Sequence, residues 1–512
     1  MSVQTARRGT WELFLAFDVG LGAMAVEMIA SRLLTPFFGA SFFVWTSLIL
    51  TILVALAVGY WLGGIMAERG VDDAFIGWLL IAVGGLLAAG IWISGGFSAS
   101  LVSVVASFPN AAIALFLGSL TAAAVIFALP VMVMGALGPI LMKRLAVGGD
   151  VGRASGRYLF YSTLGSVAGT LLPALVLIPN IGSRFSLELV ALMFAGLGLA
   201  ALPRSKKIAA AVLILPLLGL NAVWTPAAGP ELYKHESPYQ LIRVTEAAGR
   251  RYLIYNEGAG IQSVYDPGSD RRTGMYYDYF GLLPLLRPFR SGDHRVAVIG
   301  LAGGAAVRRY PSFLPPGQAI DFVGVEIDGS VIDAARRWLG LDDLPVRVVD
   351  QDGRDFLRST PDRFDSIIVD AYSNQLYIPA HLATGEFFRL VRERLNPGGV
   401  MAMNINVNGT DSALFRSLTA AVAGQFADVV ALPVRDHYNY IVLASDEPLD
   451  LAALAGRLPP GYEDIQVGLL DAVRVRPDAA VRPLTDDWAP VEYMTESMIV
   501  AEAFKLGRGL KE

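Results

Sequence analysis

The sequence predicts an α-helical, multi-pass membrane domain followed by an α/β domain on a mostly parallel sheet, with a small β-sheet at the front of the latter. Two observations carry that prediction. Residues 1 to 228 form a succession of apolar runs, each of roughly 20 residues and so long enough to cross about 30 Å of hydrocarbon. Beyond residue 290, short runs that are apolar throughout alternate with helical patterns, as strands do when helices cover both faces of their sheet. At 512 residues the chain also exceeds one ordinary core. The expected boundaries are 1–228 for the membrane domain, 229–290 for the small sheet plus a helix, and 291–512 for the α/β domain.

Charge divides the chain in the same place. Residues 1 to 228 hold 12 Lys/Arg against 8 Asp/Glu, a net +4, and the remainder holds 29 against 38, a net −9. An acidic second half excludes a nucleic-acid partner, since neutralising phosphates takes a basic face. Cysteine is absent, which removes disulfides and thiolate metal sites. His235, His294, His381 and His437 show no metal-binding spacing, so a metal-free mechanism is expected.

Seven spans are expected in the lipid bilayer, at about 11–34, 42–66, 75–96, 112–142, 157–178, 185–203 and 208–226. The fourth is over-long and carries Pro130 and Pro139, which predicts a kink or break. The first holds Asp18 and Glu27, lacks a small-residue cleavage site and is followed by further spans, so it reads as a resident span and not a signal peptide. Charges at that depth are costly, and the alternatives are a pair inside the bundle or the lining of a substrate cavity. Basic residues cluster at Arg7/Arg8, Arg69, Lys143/Arg144/Arg153/Arg157 and Arg204/Lys206/Lys207, which places the amino terminus in the cytoplasm. Seven crossings then put the second half outside, unless one of the spans fails to cross.

In the second half, "YQLIRVTE", "RRYLIYN" and "GIQSVYD" read as a small antiparallel sheet, and residues 273–287 as a helix. Seven strands follow: "RVAVIG", "IDFVGVE", "VRVVD", "FDSIIVD", "GVMAMNI", "DVVALPV" and "YIVLAS", the last two forming an antiparallel end. In such a fold the ligand lies beyond the carboxyl ends of the strands, at the switch point. Four consecutive strand ends there offer a glycine turn with Gly300, Gly303 and Gly304, then Glu326, Asp352 and Asp370. Glu326 is suited to accept both hydroxyls of a ribose and Asp352 an adenine amino group. A single acid at a strand end is more often a helix cap. Four groups in register point to a nucleoside, although the G-x-x-G-G spacing misses the strict dinucleotide fingerprint.

Over residues 238 to 445 this constellation resembles the spermidine synthase family of polyamine aminopropyltransferases, which have a class I methyltransferase-like (Rossmann-type) fold. The resemblance rests on Tyr239/Gln240, Gln262 in "GIQSV", Tyr276 to Asp278, "VIGLAGG", "VEID", "DQDG", "VDAY" and "LNPGG". With "AVEMIASRLLTPFFGASFFVWTSLI", "VGYWLGG" and the late "LTDDWAPVEYM", the whole chain looks like membrane-integrated members of that family. The resemblance implies Gln262, Gly300, Gly303, Gly304, Glu326 and Asp352 around the adenosyl group, Asp370 beside the reacting amine, and Tyr276 and Asp278 as its helpers. It implies decarboxylated S-adenosylmethionine as co-substrate and putrescine or another polyamine as acceptor. Because an adenosyl sulfonium is made in the cytosol, the soluble domain of this multi-pass protein of the cell inner membrane is expected to be cytoplasmic, against the count of seven crossings. An aromatic helix face packed on the sheet is the alternative for Tyr276, Tyr277 and Tyr279. Two departures stand out: Gly303 occupies the place of an acid in the family's glycine turn, and Ser373 that of a second acid after Asp370. Methyl transfer from S-adenosylmethionine, and a nucleoside-sensing transporter without catalysis, therefore stay open, as does the oligomeric state, a homodimer included.

Overall fold

The computed structural model describes residues 3–38, 42–105, 111–146, 149–208, 210–211, 231–256, 260–269, 272–286, 294–314, 319–373 and 377–498. Contacts divide the chain into two units, Met1–Gly229 and Pro230–Glu512.

The first unit consists of α1 (Val3–Phe38), α2 (Phe42–Glu68), α3 (Asp73–Val105), α4 (Ala111–Ala123), α5 (Leu129–Leu145), α6 (Val151–Leu172) and α7 (Ile178–Ala201). Five stretches are long and apolar enough to cross a membrane: Gly9–Phe38, Phe43–Glu68, Asp73–Leu101, Phe116–Leu145 and Val151–Ala201. The last breaks at Gly182, whose φ of 77° and ψ of 164° no helix accommodates, and so comprises two segments. The described residues thus hold six apolar segments, and most of the expected seventh span, 208–226, lies outside them. The fourth span does not break. A π turn, Ala124–Ala128, precedes Pro130 and another, Pro173–Leu177, precedes Pro179, widening the helix where a proline lacks its donor. Glycines let the backbones touch: a Cβ on Gly20 would lie 2.0 Å from the Ser162 carbonyl oxygen, and one on Gly63 2.2 Å from that of Ala136. Arg144 joins Glu12 at 3.0 Å and also Asp73, while Lys143 donates to the Ala67 carbonyl at 2.8 Å, which gathers these residues at one end of the unit. Gly77 packs against Gly198 and Leu202, so six segments return the chain to that same, basic end.

The second unit opens with an antiparallel sheet of β1 (Glu231–Glu236), β2 (Leu241–Ala247), β3 (Arg250–Tyr255) and β4 (Ile261–Tyr265). β1 lies ahead of where alternation is legible, because "ELYKHE" is charged and half-buried at every position except the exposed Lys234. The expected helix at 273–287 is shorter and tighter: a 3-10 turn, Tyr276–Leu282, leads into α8 (Leu283–Leu286), with residue 287 outside the described residues. All seven residues of that 3-10 turn are buried, so packing overrides a longer α-helix.

The large sheet comprises β5 (His294–Ile299), β6 (Ile320–Glu326), β7 (Val346–Asp350), β8 (Phe364–Val369), β9 (Leu395–Asn406), β10 (Asp428–Pro433), β11 (Asn439–Ser445) and β12 (Val473–Arg474), in the order β12-β10-β11-β9-β8-β5-β6-β7. The block from β7 to β9 is parallel, and β11 lies antiparallel between β9 and β10. Helices link the parallel strands: α9 (Ala305–Arg309), α10 (Gly329–Trp338), α11 (Gly353–Ser359) and α12 (Gly385–Arg394). α10 shows why they adhere. Val331, Ile332, Ala334 and Ala335 are buried while Arg336 and Arg337 end the helix, and Asp328 caps its start. β5 is flanked by β6 and β8, so the chain leaves it in opposite directions, and a crevice forms at its carboxyl end.

Candidate active site

The crevice is built from the glycine turn upward. Gly300, with φ of 87°, is pressed against the next strand end: a Cβ there would lie 2.4 Å from the Asp370 carbonyl oxygen and 2.7 Å from the Ala371 Cα. A glycine at this point is therefore what brings the turn and Asp370 together. Ala302 takes a φ of 46°, unusual for a residue with a side chain, and its N–H donates to Glu326 Oε2 at 2.9 Å. The Gly303 N–H donates to the Ser263 hydroxyl of β4 at 2.9 Å, and Gly304, with φ of 78°, starts α9.

Glu326 is buried and also accepts from the Asp328 N–H at 3.2 Å. Burial pushes its carboxyl up to about 7, against the pull of the Ala302 and Asp328 N–H groups. Asp328 accepts from the Ser237 hydroxyl at 2.6 Å, fastening the "SPYQ" turn to the end of β6. Tyr255 is buried among these groups, and its phenol is raised well above its ordinary value by burial and by the Glu326 and Asp328 carboxylates.

Asp370 follows β8 and keeps part of its surface open, though protein surrounds its carboxylate. Tyr276 donates to Oδ2 at 3.1 Å and Asn404 to Oδ1 at 3.0 Å. Asn404 accepts in turn from Asn439 at 2.9 Å, so β9 and β11 both support the acid. Burial pushes Asp370 up to about 6, and its two donors hold it from rising further. The result is a carboxylate that is ionised at neutral pH yet more basic than a surface aspartate, beside a glycine turn that leaves the backbone open to a ligand.

The other expected site residues divide. Asp352 caps α11, accepting from the Arg354 and Asp355 N–H groups at 2.9 and 3.1 Å, and its second oxygen meets His381 at 2.8 Å. Its carboxyl is held below the usual range, chiefly by that His381 contact. Asp278 does not join Asp370: its carboxylate accepts from the Thr273 N–H and hydroxyl and the Gly274 N–H, with Arg272 at 3.7 Å. It pins the turn that leads into Tyr276. Gln262 makes one long contact, 3.5 Å to the Gly260 carbonyl. Tyr277 donates to the Ile261 carbonyl at 3.1 Å and is fully buried, as the packed-face alternative expects, whereas Tyr276 reaches Asp370. Sequence reasoning passes over Asn404, although an asparagine inside the apolar run "GVMAMNIN" is a legible signal. It also passes over Asp486 of the late motif, which binds Arg354 at 2.6 and 2.8 Å. Among the described residues no cluster of three His, Asp or Glu is placed to hold a metal.

Residues 288–443 match the spermine/spermidine synthase domain. A probable polyamine aminopropyl transferase of Bifidobacterium longum is 31% identical over 285 residues, spanning 51% of this chain and 61% of its own length. A polyamine aminopropyltransferase of Nitrosomonas europaea is 32% identical over 247 residues, which covers 43% of this chain and 68% of that one. The chain belongs to the polyamine aminopropyltransferase family. Within this family the matched length varies: the chain spans 53% of a relative from Corynebacterium efficiens, at 29% identity and 51% of its own length. The matched domain contains the glycine turn, Glu326, Asp352, Asp370 and Asn404, whereas Ser263 and Tyr276 of the crevice precede it.

Proposed function

We propose that this protein transfers an aminopropyl group from decarboxylated S-adenosylmethionine to putrescine or another polyamine, releasing 5′-methylthioadenosine. The observation that carries the reading is the Gly300 turn backed onto Asp370, both inside the matched family domain, with the carboxylate held by Asn404 of that domain and by Tyr276 ahead of it. In the reaction a nitrogen–carbon bond forms as the carbon–sulfonium bond breaks, the sulfur keeps the bonding electron pair, and the attacking nitrogen gives up one proton. The donor brings its own leaving group. What remains for the protein is alignment, a proton acceptor and exclusion of water.

Glu326 accepts the ribose hydroxyls, and Asp352, with three partners on four lone-pair sites, keeps one for the adenine amino group. Gly300, Gly303, Gly304 and Gln262 border the adenosyl group. Asp370 takes the amine proton. Tyr276 and Asn404 each fix one of its oxygens and leave the remaining lone pairs for substrate. Asp278 acts as a positioning residue, because it holds the turn before Tyr276.

The first unit lies in the inner membrane as a multi-pass bundle, with the second unit on the cytoplasmic side where adenosyl sulfonium compounds are made. Support comes from the return of six segments to the basic end at Arg204, Lys206 and Lys207.

Product analysis of the purified full-length protein tests the chemistry. Methylthioadenosine formed from the decarboxylated donor only when an amine is present is the expected result. S-adenosylhomocysteine from S-adenosylmethionine would make it a methyltransferase, and no product from either donor would reduce the unit to a nucleoside-binding module.

A further inference from the structure

The first unit contains a carboxylate that aminopropyl transfer does not use. Asp18 lies nine residues into the Gly9–Phe38 stretch, about 13 Å along the helix at about 1.5 Å per residue. It is 6% exposed, so protein covers it, and its Oδ2 is buried with no hydrogen-bond partner. Gly22, one turn on along the same face, meets the Phe194 ring of α7 and the Met134 sulfur of α5. Asp18 thus faces the interior of the bundle. A bare carboxylate there costs several kcal/mol, and such groups inside a membrane mark proton or ion paths.

No neighbouring cation among the described residues offsets it. On α5, Lys143 is engaged with the Ala67 carbonyl and Arg144 with Glu12 and with Asp73 of α3. On α7, Arg184 and Glu188 lie just past the Gly182 break, at the far end. On α6, Arg153 and Arg157 are exposed, Tyr161 is partly so and the Tyr158 ring lies against Gly138; on α2, Tyr60 and the terminal Glu68 are exposed. Of the other charges farther along α1, Glu27 is nine residues and Arg32 fourteen residues from Asp18.

Toward the basic end the next acid is Glu12, about 120° around the helix from Asp18. Glu12 is six residues before Asp18, about 9 Å along the helix. It is 2% exposed, and its Oε2 and the Arg144 Nη1 beside it are both buried without partners. Water or a proton reaching that end meets groups with unused hydrogen-bonding capacity, and the next acid inward is Asp18.

We propose that Asp18 is a proton-binding site inside the membrane unit, loaded and unloaded through Glu12 from the end that holds Arg144 and Asp73. The step is a protonation: a proton from water passes by way of Glu12 to Asp18 Oδ2, the carboxylate becomes a carboxylic acid, and no bond to carbon changes. The site is independent of the chemistry in the second unit.

Infrared difference spectra of the full-length protein in lipid nanodiscs, between about pH 5 and about pH 9, test this. The expected signal is the C=O stretch of a buried carboxylic acid that grows on acidification and shifts in D2O. It should vanish in Asp18→Asn, and its deuterium exchange should slow in Glu12→Gln. Asp18→Glu keeps a carboxyl and should keep a band at a displaced frequency, which serves if the asparagine variant fails to fold. A band unaltered by both Asp18 substitutions, an Asp18 that neither titrates nor exchanges, or exchange that is unaltered in Glu12→Gln overturns the proposal.

Discussion

Asp370 is more valuable to the reaction than to the fold, and the two can be separated by experiment. Its acid dissociation lies near 6 against about 3.8 for an ordinary aspartate, so between those values the folded chain holds more protons than the unfolded one. Stability from this group is greatest below the unfolded value and falls as pH rises through about 6. Asp370→Asn should therefore raise stability at neutral pH by on the order of 1 to 3 kcal/mol, read from the denaturant midpoint of the second unit. It should also lower turnover on the order of 10²-fold or more if the carboxylate takes the proton. The acid limb of wild-type activity should have its midpoint near 6, and wild-type turnover in the variant would place the chemistry elsewhere. For Glu326, raised to about 7, the ionised form accepts from a ribose. Affinity for methylthioadenosine should then weaken as pH falls below about 7. Glu326→Ala should cost roughly 1.5 to 3 kcal/mol of that affinity, measured by calorimetry, and abolish the pH dependence. Both acids are legible in the sequence because each ends an apolar strand. Asn404 and Asn439 become meaningful only when β11 is known to pair with β9, a contact across 35 residues that no local pattern announces.

The glycine turn is where neighbouring elements decide what a residue can be. A Cβ on Gly303 would fall 2.7 Å from the Leu339 Cδ1 and 2.7 Å from the Ser263 Cβ. The acid that the family carries in this turn has no room here, since β4 and the end of α10 close over the position. Gly303→Asp should accordingly destabilise the second unit by about 1 to 3 kcal/mol without improving turnover; a stable variant with higher activity would show that the enclosure yields. Arg354 on α11 makes the same point from the other side. Its side chain is 10% exposed and its bidentate partner Asp486 is 43% exposed, so the pair is only half shielded. Asp486→Ala should cost about 1 to 2 kcal/mol, and thermal denaturation compared with Arg354→Met will show whether the loss comes from the stranded guanidinium.

For the whole molecule the prediction concerns the side of the membrane. Six described segments end where they began, at the basic face, and the charge pattern is the ground on which that face is proposed to be cytoplasmic. The proposed cytoplasmic site predicts that protease added to intact spheroplasts leaves residues 231–512 uncut. Cleavage in sealed cells would mean that segment 208–226 crosses and that the second unit works outside.

By itself, the sequence determined the division into an apolar half and an acidic α/β half, the alternation of strands and helices along the latter, and the places of Glu326 and Asp370 at strand ends. Each depends on short-range regularities: run length against bilayer thickness, alternation against helix period, an acid where an apolar strand stops. The tertiary structure alone decided which acids are free for a ligand. Asp278 looks like its neighbours in sequence, yet it spends its carboxylate on the Thr273 turn, whereas Asp352 keeps one lone pair beside its contacts with α11 and His381. It also decided that Pro130 does not break the fourth span, whereas the division at Gly182 falls between the two spans expected at 157–178 and 185–203. The reason is common to all of these. Backbone groups must be satisfied wherever they are buried, and which side chain or turn satisfies them depends on partners that chain order does not reveal.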